Sequence, residues 1–140
     1  MKNLLFAFFV IALFSMQLYS QGKIISKQEA DELFGVVLIS KEIPTSTLLS
    51  ITESCVEIIM FKIIENDVYI LGDKRKVLLP EGAVINSSEI FSVYSTSKVK
   101  DLLTIGSSSM TFVEKRKDVL TITNGNSTLE YSLLCPPICF

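Results

Sequence analysis

The chain has 140 residues, 13 Lys or Arg against 15 Asp or Glu, and no histidine. This length points to one folded domain. The mildly acidic balance argues against general nucleic-acid binding, which needs a strong basic footprint. The missing histidine removes Ser-His-Asp and Cys-His catalytic sites from this chain and the commonest metal ligand with them.

Met1-Lys2-Asn3 places one cation ahead of an apolar run from Leu4 to Leu18, followed by Tyr19-Ser20-Gln21. That is the grammar of an export signal, with cleavage expected after Ser20. Residues 1–20 are therefore read as a leader and residues 21–140 as a single exported domain, periplasmic or secreted, with no stable membrane span once the leader is gone. The Phe-rich leader with a single Lys resembles those of exported proteins from Bacteroidota. The rest of the chain brings no characterised family to mind, so no activity is carried onto any residue.

After the leader, Ser26-Lys27-Gln28-Glu29 has capping-box spacing and predicts a helix through Ala30, Leu33 and Phe34, stopped at Gly35. Val36 to Ile43 reads as a strand ended by Pro44, and Thr45-Ser46 offers an N-cap to a short helix through Leu48, Leu49 and Ile51. Val56 to Ile64 is the most apolar stretch outside the leader. Both of its alternating sides are mostly apolar, the signature of an interior strand covered on both faces. Val68 to Leu71 and Lys76 to Leu79 read as two further strands, and Glu81 to Ser88 as a loop.

Glu89 to Tyr94 reads as another strand, and Ser95-Thr96-Ser97 caps a helix through Val99, Leu102 and Leu103. Met110 to Glu114, Val119 to Thr123 and Thr128 to Leu134 follow as strands, with Asn124-Gly125 a hairpin turn between the last two. The fold class is thus α+β. A mostly antiparallel sheet of about seven to eight strands is expected, with two or three short helices. The order strand–helix–three strands occurs twice, over 36–80 and 87–131. A gap-free superposition sets Thr45-Ser46 on Thr96-Ser97, Phe61 on Phe112, and Asp67-Val68 on Asp118-Val119, as an internal duplication would.

Chemistry is sparse. Ser95 and Lys98 have Ser-x-x-Lys spacing, but Ser20 to Lys23 repeats it and the partner motifs of penicillin-binding enzymes are missing, so helix capping explains it. Cys55, Cys135 and Cys139 allow one disulfide, with Cys135–Cys139 the compact candidate. They fall short of a four-ligand zinc site, and no metal or cofactor is implied. Glu57 and Glu114 lie inside predicted strands and are the only candidates for a carboxylate pair. The basic turns carrying Lys74, Arg75, Lys115 and Arg116 are the best surface candidates for contacts to an anionic partner. The leading expectation is a non-enzymatic binding or interaction module of the cell envelope, with an unknown envelope protein or glycan as its partner. The rival is a small enzyme working through carboxylates or a Ser/Lys pair.

Overall fold

The computed structural model describes residues 22–130 and the backbone of 133–135. The expected leader, the side chain of Cys135 and all of Cys139 lie outside the described residues, and the candidate disulfide with them. Ten strands and three α-helices follow in the order β1 (Lys23–Ser26), α1 (Lys27–Phe34), β2 (Ile39–Pro44), α2 (Thr45–Glu53), β3 (Ile58–Ile64), β4 (Asp67–Leu71), β5 (Val77–Leu79), β6 (Phe91–Ser95), α3 (Thr96–Gly106), β7 (Met110–Lys115), β8 (Leu120–Asn124), β9 (Ser127–Glu130) and β10 (Leu133–Cys135). The fold is α+β and its ladders are antiparallel. It has two five-stranded sheets rather than the one expected: sheet A in the order β1-β9-β8-β7-β2 and sheet B in the order β10-β6-β3-β4-β5.

The division into two sheets comes from an exchange. In the first unit, β2 leads into α2 and then β3 to β5; in the second, β6 leads into α3 and then β7 to β9. Each leading strand pairs with the other unit's sheet. β2 lies against β7, from Ile39↔Lys115 to Pro44↔Met110. β6 lies against β3, from Ile58↔Ser95 to Phe61↔Ser92. The last expected strand is also divided, with β9 in sheet A and β10 in sheet B.

β3 is the middle strand of sheet B, and the apolar run of the sequence accounts for that place. Ile59 and Phe61 face the main core with Val68, Ile70 and Tyr94. Ile58 and Met60 face the other way, into a second cluster with Leu71, Phe91 and Val93. Burying a side chain of this kind contributes roughly 1.5–3 kcal/mol, so a strand covered on both faces is an anchor of the fold. From sheet A, Val113, Ile122 and Leu129 enter the same main core, and α2 and α3 close it with Leu48, Val99, Leu102 and Leu103. Phe61 meets Tyr94 edge-on, with ring centroids 6.0 Å apart.

The core faces correct the gap-free superposition of the two units. Phe61 points into the main core, and in β7 the residue that does so is Val113, not Phe112. Successive strand residues alternate faces, so a one-residue step between helix and strand moves every side chain to the opposite side. Thr45 and Thr96 are each the first residue of their helix.

The local signals fare differently from one another. Ser26 accepts from the Glu29 N–H and Ser95 from the Lys98 N–H, as the cap spacing predicts. Gly35 ends α1 with φ +78°. At α2 the cap position is Pro44, which makes no side-chain bond. The Thr45 hydroxyl instead donates to the Ser108 carbonyl at 2.7 Å and takes part in a buried cluster with Thr111 and Asn124. That cluster fastens the start of α2 to sheet A, which explains why a threonine there is not spent as a cap.

Candidate functional site

A cleft of about 200 Å³ opens at one end of the interface between the sheets. Phe61 and Ile63 of β3, Ile90 and Ser92 at the start of β6, and the β7–β8 hairpin from Lys115 to Leu120 line it. Ile63, Ile90 and Leu120 give it apolar lining among polar groups, while Phe61 behind them is fully buried. Lys115, Lys117 and Asp118 are exposed along its hairpin wall. The Tyr94 hydroxyl donates to the Leu120 carbonyl, which ties the hairpin of sheet A to sheet B beside the cleft. Within the hairpin the Arg116 N–H bonds the Val119 carbonyl at 2.9 Å. The two lysines therefore stand on a braced turn.

The four basic residues singled out in the sequence go to different places. Lys115 reaches the cleft wall. Arg116 does not join it as a surface cation. Its side chain is completely buried on the other face of sheet A, bonded to Asp31 at 2.7 Å, to the Gly35 carbonyl, to the Thr121 hydroxyl at 3.2 Å and to Glu114 at 3.5 Å. In a strand successive side chains alternate, so a three-cation run cannot keep all its charges on one side. Arg75 lies over the Phe91 ring, 5.3 Å from its centroid, and donates to the Glu89 carbonyl at 3.0 Å. Lys74 is exposed beside a separate hollow lined by Val56, Glu57, Asp73 and Lys74. The two basic turns therefore do not share one site.

Lys62 is the polar residue of β3 that lines the cleft. It is half-buried, paired with Glu89, and sits 5.8 Å from the Phe91 ring centroid. Glu89 precedes Ile90 directly, so this ion pair and the Arg75 bond together hold the segment that supplies one apolar wall. Partly desolvated contacts of this kind fix geometry more than they add stability.

The two candidate carboxylates of the sequence, Glu57 and Glu114, are not brought together. Glu57 is exposed just ahead of β3. Glu114 is buried in β7 and accepts from the Thr123 hydroxyl at 2.7 Å. The acid that the sequence reading missed is Asp73. It accepts from three consecutive backbone N–H groups, those of Val56 at 2.6 Å and of Glu57 and Ile58 at 3.0 Å each. Lys74 and Arg75 after it adopt left-handed backbone, φ +54° and +60°, which turns the chain so that Asp73 points back at the start of β3. Burial alone would raise its carboxyl, but the three N–H groups outweigh that and hold it below the ordinary 3.8. Asn124 performs a similar task where the chain enters β7, accepting from the Ser108 N–H at 2.9 Å.

Asp73→Ala is expected to cost about 1–2 kcal/mol in urea unfolding at neutral pH, and Asp73→Asn less, since an amide oxygen can still accept. The sign with pH follows from the lowered carboxyl. The contribution is present above the ordinary value and is lost as pH falls through the lower folded value. The wild-type advantage over Asp73→Ala should therefore shrink in acid. An advantage that is constant down to acid unfolding would contradict the clamp.

Cys55 is a free, buried thiol. Burial, with the nearby Asp73 carboxylate adding to it and Lys100 opposing it, pushes its pKa up to about 11. That makes it an inert thiol at neutral pH. Among the described residues no group of three or more Cys, Asp or Glu is placed to hold a metal ion, and no helix is long and apolar enough to cross a membrane. No family model, curated protein or solved structure matches the chain.

Proposed function

We propose that this protein is an exported, non-enzymatic binding module whose cleft between the sheets takes an acidic, partly apolar segment of another envelope protein. One observation carries the reading: Ile63, Ile90 and Leu120, which keep some exposure in the cleft, stand beside exposed Lys115 and Lys117 on a braced hairpin. Apolar contact supplies affinity, and the lysines select for negative charge and speed encounter. Three of the inward ionic groups have structural employment. Arg116 holds α1 to sheet A, Glu114 is bonded to Thr123, and Asp73 clamps the start of β3. This supports binding over the rival carboxylate or Ser/Lys enzyme. Ser95 is likewise occupied as a helix cap.

The same reading includes an internal duplication. The shared element order, the reciprocal exchange of β2 and β6, and the paired clamps Asp73 and Asn124 support it. On this view the two halves diverged, and the basic hairpin of the second half became the recognition element.

The test is an amide chemical-shift titration with three short peptides of equal leucine content, alternating leucine with aspartate, asparagine or lysine. The aspartate peptide is expected to shift the amides of Ile63, Ile90, Lys117 and Leu120, with an affinity that falls as salt is added. Equal shifts from all three peptides, or shifts confined to other surfaces, would sink the proposal.

A further inference from the structure

β1 and α1 stand outside the two matching units. They are held to sheet A by a ladder to β9, from Lys23↔Glu130 to Ser26↔Ser127, by the Lys27 N–H on the Asn126 carbonyl at 2.9 Å, and by Asp31 and the Gly35 carbonyl on Arg116. Under this attachment lies Glu130. It is 1% exposed, and neither carboxylate oxygen has a hydrogen-bond partner among the described residues.

The groups around Glu130 pull in both directions. Lys23, across the ladder on β1, favours its charge, and Glu29 in the first turn of α1 opposes it. Glu114 and Arg116 from the β7 end are bonded to each other, and Arg116 is also bonded to Asp31 of α1. Thr128, its neighbour on the same face of β9, shares a hydrogen bond with Thr123.

We propose that β1 and α1 form a protonation-gated cover: neutral Glu130 keeps them seated on β9, and ionised Glu130 lets them lift from sheet A. A buried carboxylate without hydrogen bonds is costly when charged. Relief comes most directly from the elements that cover the carboxyl, a four-residue edge strand and its helix, rather than from the core. Burial, with Glu29 adding and Lys23 opposing, moves the carboxyl from 4.5 up to about 7. A folded pKa above the open-state value means that seating is strongest below about 4.5 and weakens as pH rises through about 7. Lifting would bare the free edge of β9, a ready template for another strand.

The test is amide hydrogen exchange of the whole protein at pH about 5 and about 8, expressed as protection relative to the intrinsic rate at each pH. Protection of the Ile25, Lys27 and Ala30 amides is expected to fall about tenfold or more at the higher pH, while the amides of β8 keep theirs. Glu130→Gln is expected to abolish that fall. Unchanged protection in the wild type, a fall that persists in Glu130→Gln, or an equal fall in β8 would each overturn the proposal. Should the variant fail to fold, the carboxyl carbon shift of wild-type Glu130 decides. A midpoint near neutrality supports the cover, and one in the ordinary carboxylate range overturns it.

Discussion

Arg116→Ala is expected to lower the unfolding free energy by about 3–5 kcal/mol, the usual cost of removing one partner from a buried charge cluster. The guanidinium is fully buried and gathers Asp31, Gly35, Thr121 and Glu114. Without it, Glu114 remains 3% exposed with the Thr123 hydroxyl as its hydrogen-bonding support. α1 also loses its main polar tie to sheet A. Arg116→Lys should recover only part of the loss, because a point charge cannot serve partners spread around a planar fork. Arg116→Met combined with Glu114→Leu should recover more, since it removes both charges together. Urea unfolding measures all three. A loss under about 1 kcal/mol for Arg116→Ala would mean that the cluster is not the tie described here.

Gly106→Ala is expected to cost about 3 kcal/mol, at the upper end of ordinary overpacking. A Cβ built on Gly106 would lie 2.2 Å from the Asn124 Oδ1 and 2.3 Å from the Asn124 carbonyl oxygen. One of those atoms is backbone and cannot swing away. The other accepts the Ser108 N–H, and the Asn124 amide donates to Thr45 and Thr111. The clash would therefore disturb the cluster that seats α2 as well as the end of α3. Thermal unfolding should register a lower Tm. An unchanged Tm would show that α3 and the β8–β9 turn can separate without loss.

Much of this fold can be read from the chain wherever the cause is local. Ser26 and Ser95 cap their helices, Gly35 stops the first, and Gly125, at φ +59°, makes the β8–β9 turn. β3 is legible because both of its sides are apolar. The division into two sheets is not, because which strand pairs with β2 or β6 depends on partners far along the chain. Its β-branched residues would suit either sheet. The similar element order of the two halves is legible, but which residues enter the core is not, since Phe61 enters it and Phe112, set on it by the gap-free superposition, does not.

The candidate site is half legible on the same grounds. The basic turn at Lys115 to Lys117 stands out in the sequence. Its division, with Lys115 and Lys117 exposed and Arg116 inside, follows strand alternation. The apolar part of its lining does not stand out, because Ile63, Ile90 and Leu120 are distant in sequence and read as ordinary core. Asp73 and Glu130 look like surface acids until the partners, or lack of them, are seen.

The most direct measurement is the dissociation constant of the aspartate–leucine peptide for the wild type and for a Lys115→Glu, Lys117→Glu double variant, taken alongside urea unfolding of both. Both side chains are exposed, so stability should change by no more than about 0.5 kcal/mol. Affinity should fall about tenfold or more, and its dependence on salt should flatten or reverse. Equal affinity for the two proteins, with folding intact, would contradict the cleft as the binding site.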